Sequence, residues 1–180
     1  MATHTPESLL EQARNAKKDH RLADATSLFR SALEESRTSE DHSLRSTLYE
    51  ELAYVERNLR DLDAAQEHYL QSAEIYRTLD NPQKTAHTLR HAADILREQS
   101  KLEQAARFYS EALAIYRQNR ETPPLHLANA IRGFAILKTD LGERQRALKL
   151  WQEARDLYHQ ENIEAGVSES STRIASLTNP

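Results

Sequence analysis

One signature constrains this chain more than any other: alanine, an aromatic and a second alanine at offsets of zero, four and seven, four times in register. It reads Ala25/Phe29/Ala32, then Ala65/Tyr69/Ser72 with Ser in the last place, Ala105/Tyr109/Ala112 and Ala147/Trp151/Ala154. Successive copies lie 40, 40 and 42 residues apart. Twelve residues upstream of each first alanine stands another, at Ala13, Ala53, Ala93 and Ala135. A fixed period of this length marks an array of like supersecondary units, each unable to bury its apolar face alone. Such arrays stack neighbour on neighbour and present an extended surface, without needing a catalytic pocket.

The residue types make the array helical. There are 24 Leu and 24 Ala against two Val, so strong helix formers dominate. Three Gly leave little material for β turns, and Pro6, Pro82, Pro123 and Pro124 suit the first turn of a helix, where a missing N–H costs nothing. Leu, Ile, Val and Phe make only 36 of 180 residues, near the range of disordered chains. The net charge of −4 and the fixed register of the alanines argue for a folded array instead.

Several functions are disfavoured on the same grounds. The absence of Cys excludes disulfides, a thiol nucleophile and thiolate metal sites. There is no Gly-rich phosphate loop and no GxSxG elbow, and no cofactor is expected. The acidic balance (pI ≈ 6.1) and the lack of a Lys/Arg run disfavour nucleic acid. The start, MATHTPESLL, lacks a basic segment followed by an apolar run, so no secretory signal is expected. No stretch approaches the roughly 18 apolar residues of a membrane span. With no address in the sequence, the cytoplasm is the expected location.

Each unit divides into two amphipathic helices. In the second, apolar residues at Leu44, Leu48, Leu52 and Val55 follow a helical period over Ser43 to Arg57. A polar break at Arg60–Asp61 precedes a second helix from Leu62 to Leu79, stopped by Asp80 and Asn81. The first unit is expected at Pro6 to Lys18 and Leu22 to about Arg37, and the third at Thr85 to Glu98 and Leu102 to Gln118. The fourth is expected from about Leu125 to Asp140 and, after a turn at Leu141–Gly142, to about His159. A last helix, Ala165 to Leu177, carries Ile174 and Ala175 on one face and polar residues from Ser168 to Arg173 on the other, as an end cap should. The repeats are thus expected at about 6–40, 41–80, 81–122 and 123–162, with a cap at about 163–177, in a single domain over 1–180.

This pattern resembles the tetratricopeptide repeat (TPR) family, whose motif of about 34 residues places a small residue in the first helix and Ala, aromatic, Ala in the second. The match covers nearly the whole chain, with two departures: only Gly142 keeps the family's turn glycine, and no closing Pro appears at Arg37, Arg77, Arg117 or His159. Units longer by some six residues imply helices extended by about 9 Å in total, similar to the long repeats of kinesin light chain and cell-polarity adaptors. The resemblance implies an all-α, right-handed solenoid of four TPR-like hairpins plus a C-terminal capping helix. It also implies a concave groove lined by the first helices, and a non-enzymatic adaptor role.

Carried over by register, the groove is expected to hold Arg14 and Lys17 from the first unit, and Glu50, Tyr54 and Arg57 from the second. His87, Arg90, His91, Asp94 and Arg97 follow from the third, Asn129, Arg132 and Ile136 from the fourth, and Arg173 from the cap. Seven Arg or Lys stand there against Glu7, Glu50, Glu51 and Asp94, so this face is positive although the chain is negative. Guanidinium groups clamp carboxylates through two parallel hydrogen bonds. The expected partner is therefore a protein or peptide, in the form of an acidic segment or C-terminal tail, with Tyr54 as an apolar anchor. The competing reading is that these charges only solvate an exposed face. Two alternatives of other classes remain. An open apolar face at Leu9 and Leu10 would let copies self-associate into a structural homo-oligomer. His87 and His91, four apart, with Asp94 three further on, could hold a metal or perform acid–base work in a metal-dependent enzyme. The remaining histidines, His68 among them, show no grouping.

Overall fold

The computed structural model describes residues 5–178. Among these the chain is all-α and contains no strand: α1 (Pro6–Lys18), α2 (Leu22–Glu35), α3 (His42–Asn58), α4 (Leu62–Thr78), α5 (Pro82–Glu98), α6 (Leu102–Gln118), α7 (Pro124–Asp140), α8 (Arg144–Gln160) and α9 (Glu164–Thr178). They form four successive TPR-like hairpins followed by a terminal helix, the expected fold class. No helix among the described residues is long and apolar enough to cross a membrane.

Helix starts follow local chemistry. Thr5, Asp41, Asp61 and Asn81 accept from the backbone N–H three residues on, at 3.3, 2.8, 3.3 and 3.1 Å. Pro6, Pro82 and Pro124 each begin a helix. The ends share one device. After α1, α3, α4, α5, α7 and α8 the chain turns through a single left-handed residue: His20, Arg60, Asp80, Ser100, Gly142 and Asn162, with φ from 49 to 71°. The N–H of the next residue returns to the carbonyl five residues back, as in Arg21→Ala16 and Lys101→Leu96 at 2.9 and 2.8 Å, the Schellman pattern. Each of these connections is three residues long. The connection from α6 to α7, Asn119 to Pro123, is two residues longer, which is where the period lengthens from 40 to 42. Two boundaries differ from expectation by more than a residue: α5 begins at Pro82, three residues before Thr85, because Asn81 caps it there, and α2 ends at Glu35, where Ser36–Thr38 tighten into a 3₁₀ turn.

The chain divides into two compact units, residues 1–88 and 89–180, with the boundary inside α5. In the first, Ala13, Ala25, Phe29, Ala32, Leu48 and Val55 are fully buried in a core that includes Leu9 and Leu10. Ser72, standing where the repeat elsewhere has Ala, is buried and donates to the Ser46 carbonyl at 2.9 Å. In the second, Ala93, Leu96, Ala105, Tyr109 and Leu137 form one cluster, and Ala135, Ala147 and Trp151 another, with Ile174 and Leu177 of α9 packed against it. The alanine of each first helix is wedged at zero exposure in all four hairpins, which is why the motif needs a small side chain there. Leu9 and Leu10 are 6% and 9% exposed. The face on which self-association was expected is therefore already covered within the unit.

Candidate functional site

In the first unit the expected residues gather into two linked groups on α1, α3 and the start of α5. Arg14 donates to Glu51 through Nε at 2.9 Å, and Lys17 donates to the other Glu51 oxygen. The Lys17 ammonium also lies 5.0 Å from the Tyr54 ring centroid, a cation–π contact. Tyr54 is 47% exposed, so its ring is available as an apolar surface. Glu50, the neighbour of Glu51, accepts from the Tyr76 hydroxyl (3.1 Å) and Lys84 (3.4 Å), while His87 Nε2 lies 3.3 Å from its other oxygen. Burial pushes the Glu50 carboxyl up, but the His87 hydrogen bond, the charges of His87 and Lys84 and the Tyr76 hydroxyl outweigh it. The group is held below its ordinary value. Arg57 follows on α3, three residues past Tyr54, and is half-buried.

In the second unit, Arg90 donates to Asp94 at 3.1 Å and contacts the His91 ring at 2.7 Å. The buried Tyr109 hydroxyl donates to the other Asp94 oxygen. Burial and then the Asp94 charge push this hydroxyl well above the ordinary phenol range, so it stays a neutral donor. Arg97 reaches Asp140 at 3.5 Å. Arg132 of α7 holds Glu169 of α9 through two parallel bonds, Nε at 2.6 Å and Nη2 at 2.8 Å. Asn129 accepts from the Tyr158 hydroxyl at 2.8 Å, Ile136 packs against the Trp151 cluster, and Arg173 lies 6.0 Å from the Trp151 ring centroid.

Of the cations expected on the first helices, Arg14, Lys17, Arg90, Arg97 and Arg132 thus each meet an acid within their own unit, while Arg173 lies beside the Trp151 ring. Asp140 and Glu169 stand outside the sequence tally of acidic partners, and Glu169 belongs to the α9 face expected to be purely outward. It turns inward because α9 packs along α8 and brings one carboxylate over α7. Among the described residues no group of three His, Asp or Glu side chains is placed to hold a metal ion; the nearest carboxylate that His87 meets is Glu50, and His91 lies 3.7 Å from Asp94. One grouping was missed. His68 Nδ1 lies 2.6 Å from the fully buried Glu56, which Arg30 also holds at 3.0 Å, and Tyr49 stacks on the imidazole. The signal was present: Glu56 occupies the core register held by Ala16 and Leu96 in two units and by another charged residue, Lys138, in the fourth.

Solved structures share this fold. BtubC (BKLC) from P. vanneervenii matches with a TM-score of 0.73 at 19% identity, over 97% of this chain and 81% of that one. Aspartyl phosphate phosphatase F from Bacillus subtilis matches at 0.83 and 16% identity, over 93% of this chain and 44% of that one. A STAND signal-transduction ATPase with a tetratricopeptide repeat sensor, from Pyrococcus horikoshii, matches at 0.86 and 17%, over 96% of this chain and 26% of that one. The chain thus spans less than half the length of the latter two. At such identities the likeness establishes the fold. No curated protein matches the sequence. The family model described as "Soluble NSF attachment protein, SNAP" matches residues 12–179.

Proposed function

The chain belongs to the soluble NSF attachment protein (SNAP) family, and from that premise we propose that it is a non-enzymatic interaction module, a single TPR-like domain over residues 1–180. Its partner is a protein that offers an acidic segment or tail to the first helices within a unit: α1 and α3 in the first, or Arg90, Arg97 and α7 in the second. The observation that carries this reading is the Arg132–Glu169 pair: a guanidinium on a first helix, itself half-buried, already grips a carboxylate in the bidentate geometry an acidic peptide would present. Arg90 and Arg97 offer the same chemistry in that unit, and Arg14, Lys17 and the exposed Tyr54 ring offer a cationic and apolar pair in the other. A partner engages by exchanging its carboxylates for Asp94, Asp140, Glu169 or Glu51, so charge is conserved on binding and the gain comes from the aromatic and backbone contacts added.

The test is a pull-down with the purified chain, identification of the captured protein by mass spectrometry, and rebinding to Arg90→Glu/Arg132→Glu and to Tyr54→Ala. The charge-reversed variant, shown by circular dichroism to retain its helices, should lose the partner. If it binds undiminished, this face is not the site.

A further inference from the structure

In the first unit, residues of α2 and its 3₁₀ turn, of α3 and of α4 line a cavity of about 770 Å³, within the range of ligand sites. Register supplies a comparison. In the second unit the corresponding helices, α6 and α8, are joined by Arg117, whose Nη2 donates to both Glu153 oxygens at 2.8 Å. The equivalent residues of the first unit are Arg37 and Gln71. The carboxylate is missing. Gln71 turns its amide nitrogen to Glu67 (3.2 Å) and its buried Oε1 has no hydrogen-bond partner. Arg37 turns back to Glu34 of its own segment (3.0 Å), and Arg45 meets only the His42 ring (2.6 Å), with no carboxylate among the described residues.

We propose that this cleft is a docking site for a peptide segment that carries a carboxylate beside a large apolar side chain. The carboxylate takes the place that Glu153 fills in the second unit, against Arg37 and Arg45. A backbone N–H of the peptide supplies the donor that Gln71 Oε1 lacks. The apolar side chain lies against Leu33, Ile75 and the Tyr49 ring, which line the same cavity. Three carboxylates stand at or below the cavity, and each is already answered by a cation: Glu56 by Arg30 and His68, Glu34 by Arg37 and Glu74 by Arg77. Three chemically different demands of one cavity are met by one ligand class.

The probe is N-acetyl-Glu-Leu-amide, titrated into the full chain and followed by amide chemical shifts in NMR, with N-acetyl-Gln-Leu-amide as control. Saturable shifts at Tyr49, Gln71 and Ile75 are expected, with a dissociation constant on the order of 1 mM, as befits a fragment of this size. The Gln control should bind about tenfold more weakly for want of the charged hydrogen bonds. Gln71→Glu supplies the carboxylate from within and should abolish the Glu probe's advantage, and Arg45→Gln should reduce it; dispersed amide spectra of both variants show that they fold. The proposal is overturned if shifts fall only on the first-helix residues Arg14, Lys17, Glu51 and Tyr54, if no saturable shift occurs, or if Gln71→Glu binds the two probes as the native chain does.

Discussion

The repeated left-handed turn makes a reciprocal test of how this chain balances local strain. His20 and Ser100 sit at φ 59° and 60°, both exposed. Neither side chain makes a hydrogen bond to another described residue, so each residue contributes only its backbone. For a residue with a Cβ the left-handed region costs about 1–2 kcal/mol. Glycine avoids that cost but gives up about 0.5–1 kcal/mol of unfolded-chain entropy. Each replacement by Gly should therefore stabilise by roughly 0.5–1 kcal/mol. The two sites lie in different units and should add. For a chain of this size about 1 kcal/mol raises the melting temperature by roughly 2–4 °C, so His20→Gly/Ser100→Gly should gain on the order of 2–8 °C. Gly142 supplies the opposite sign. At φ 71° nothing lies within 4 Å of where its Cβ would stand, so Gly142→Ala adds strain without a clash and should cost about 1 kcal/mol. Thermal unfolding followed by helical circular dichroism reads both. If the double glycine variant melts at or below the native chain, or Gly142→Ala is neutral, the turns are not the strained points the backbone angles imply.

Other expectations follow from the packing and the charges. A Cβ on Gly133 would lie 2.7 Å from the Tyr109 ring, which is buried and tethered by Asp94; Gly133→Ala should destabilise by about 1–3 kcal/mol in urea unfolding. Because the Glu50 carboxyl is held below its ordinary value of 4.5, its stabilisation is present above that value and is lost as pH falls through the lower, folded one. Glu50→Gln should flatten the curve of urea midpoint against pH in that acid window and leave its slope near neutrality unchanged. Removing His68 strips the buried Glu56 of one of its two partners, so His68→Ala should cost about 1–3 kcal/mol. Glu56→Leu, which repeats the choice made at Leu96, should cost less in the same thermal melts.

The fold was legible because its determinants are periodic. Ala53 or Tyr69 alone says little, but a small side chain and a ring that return every 40 residues can be satisfied together only by helices packed in pairs. Most helix starts were legible to within a residue; the exception is α5, which starts at Pro82 behind its Asn81 cap, three residues before the expected Thr85. Most ends were legible as well, with α1, α5, α6 and α7 stopping at the expected Lys18, Glu98, Gln118 and Asp140, although His20 and Ser100 are no turn glycines and it is the Schellman hydrogen bonds that hold the backbone there. The end of α2 at Glu35 was misplaced for a related reason, since a 3₁₀ turn tightens a helix without changing its composition.

The candidate site was half legible, and the missing half is electrostatic. Register told which side chains belong to the first helices, and in their own units Arg14, Lys17, Arg90, Arg97 and Arg132 each meet an acid. It could not tell which acids meet most of them, because Glu51, Asp140 and Glu169 come from another helix, 34 to 43 residues along the chain. Counting charges on one face therefore overstates its field, since the answering charge sits one element away. Pairing is what then separates the two sides of the first unit. On the first-helix side the guanidinium of Arg14 is answered by Glu51. On the second-helix side the answering position is Gln71, and Arg45 meets only a ring nitrogen. A charge left without its partner beside a cavity is a sharper pointer to a ligand than any excess of charge on a face, because the bare guanidinium and the unpaired amide oxygen each name the group they lack.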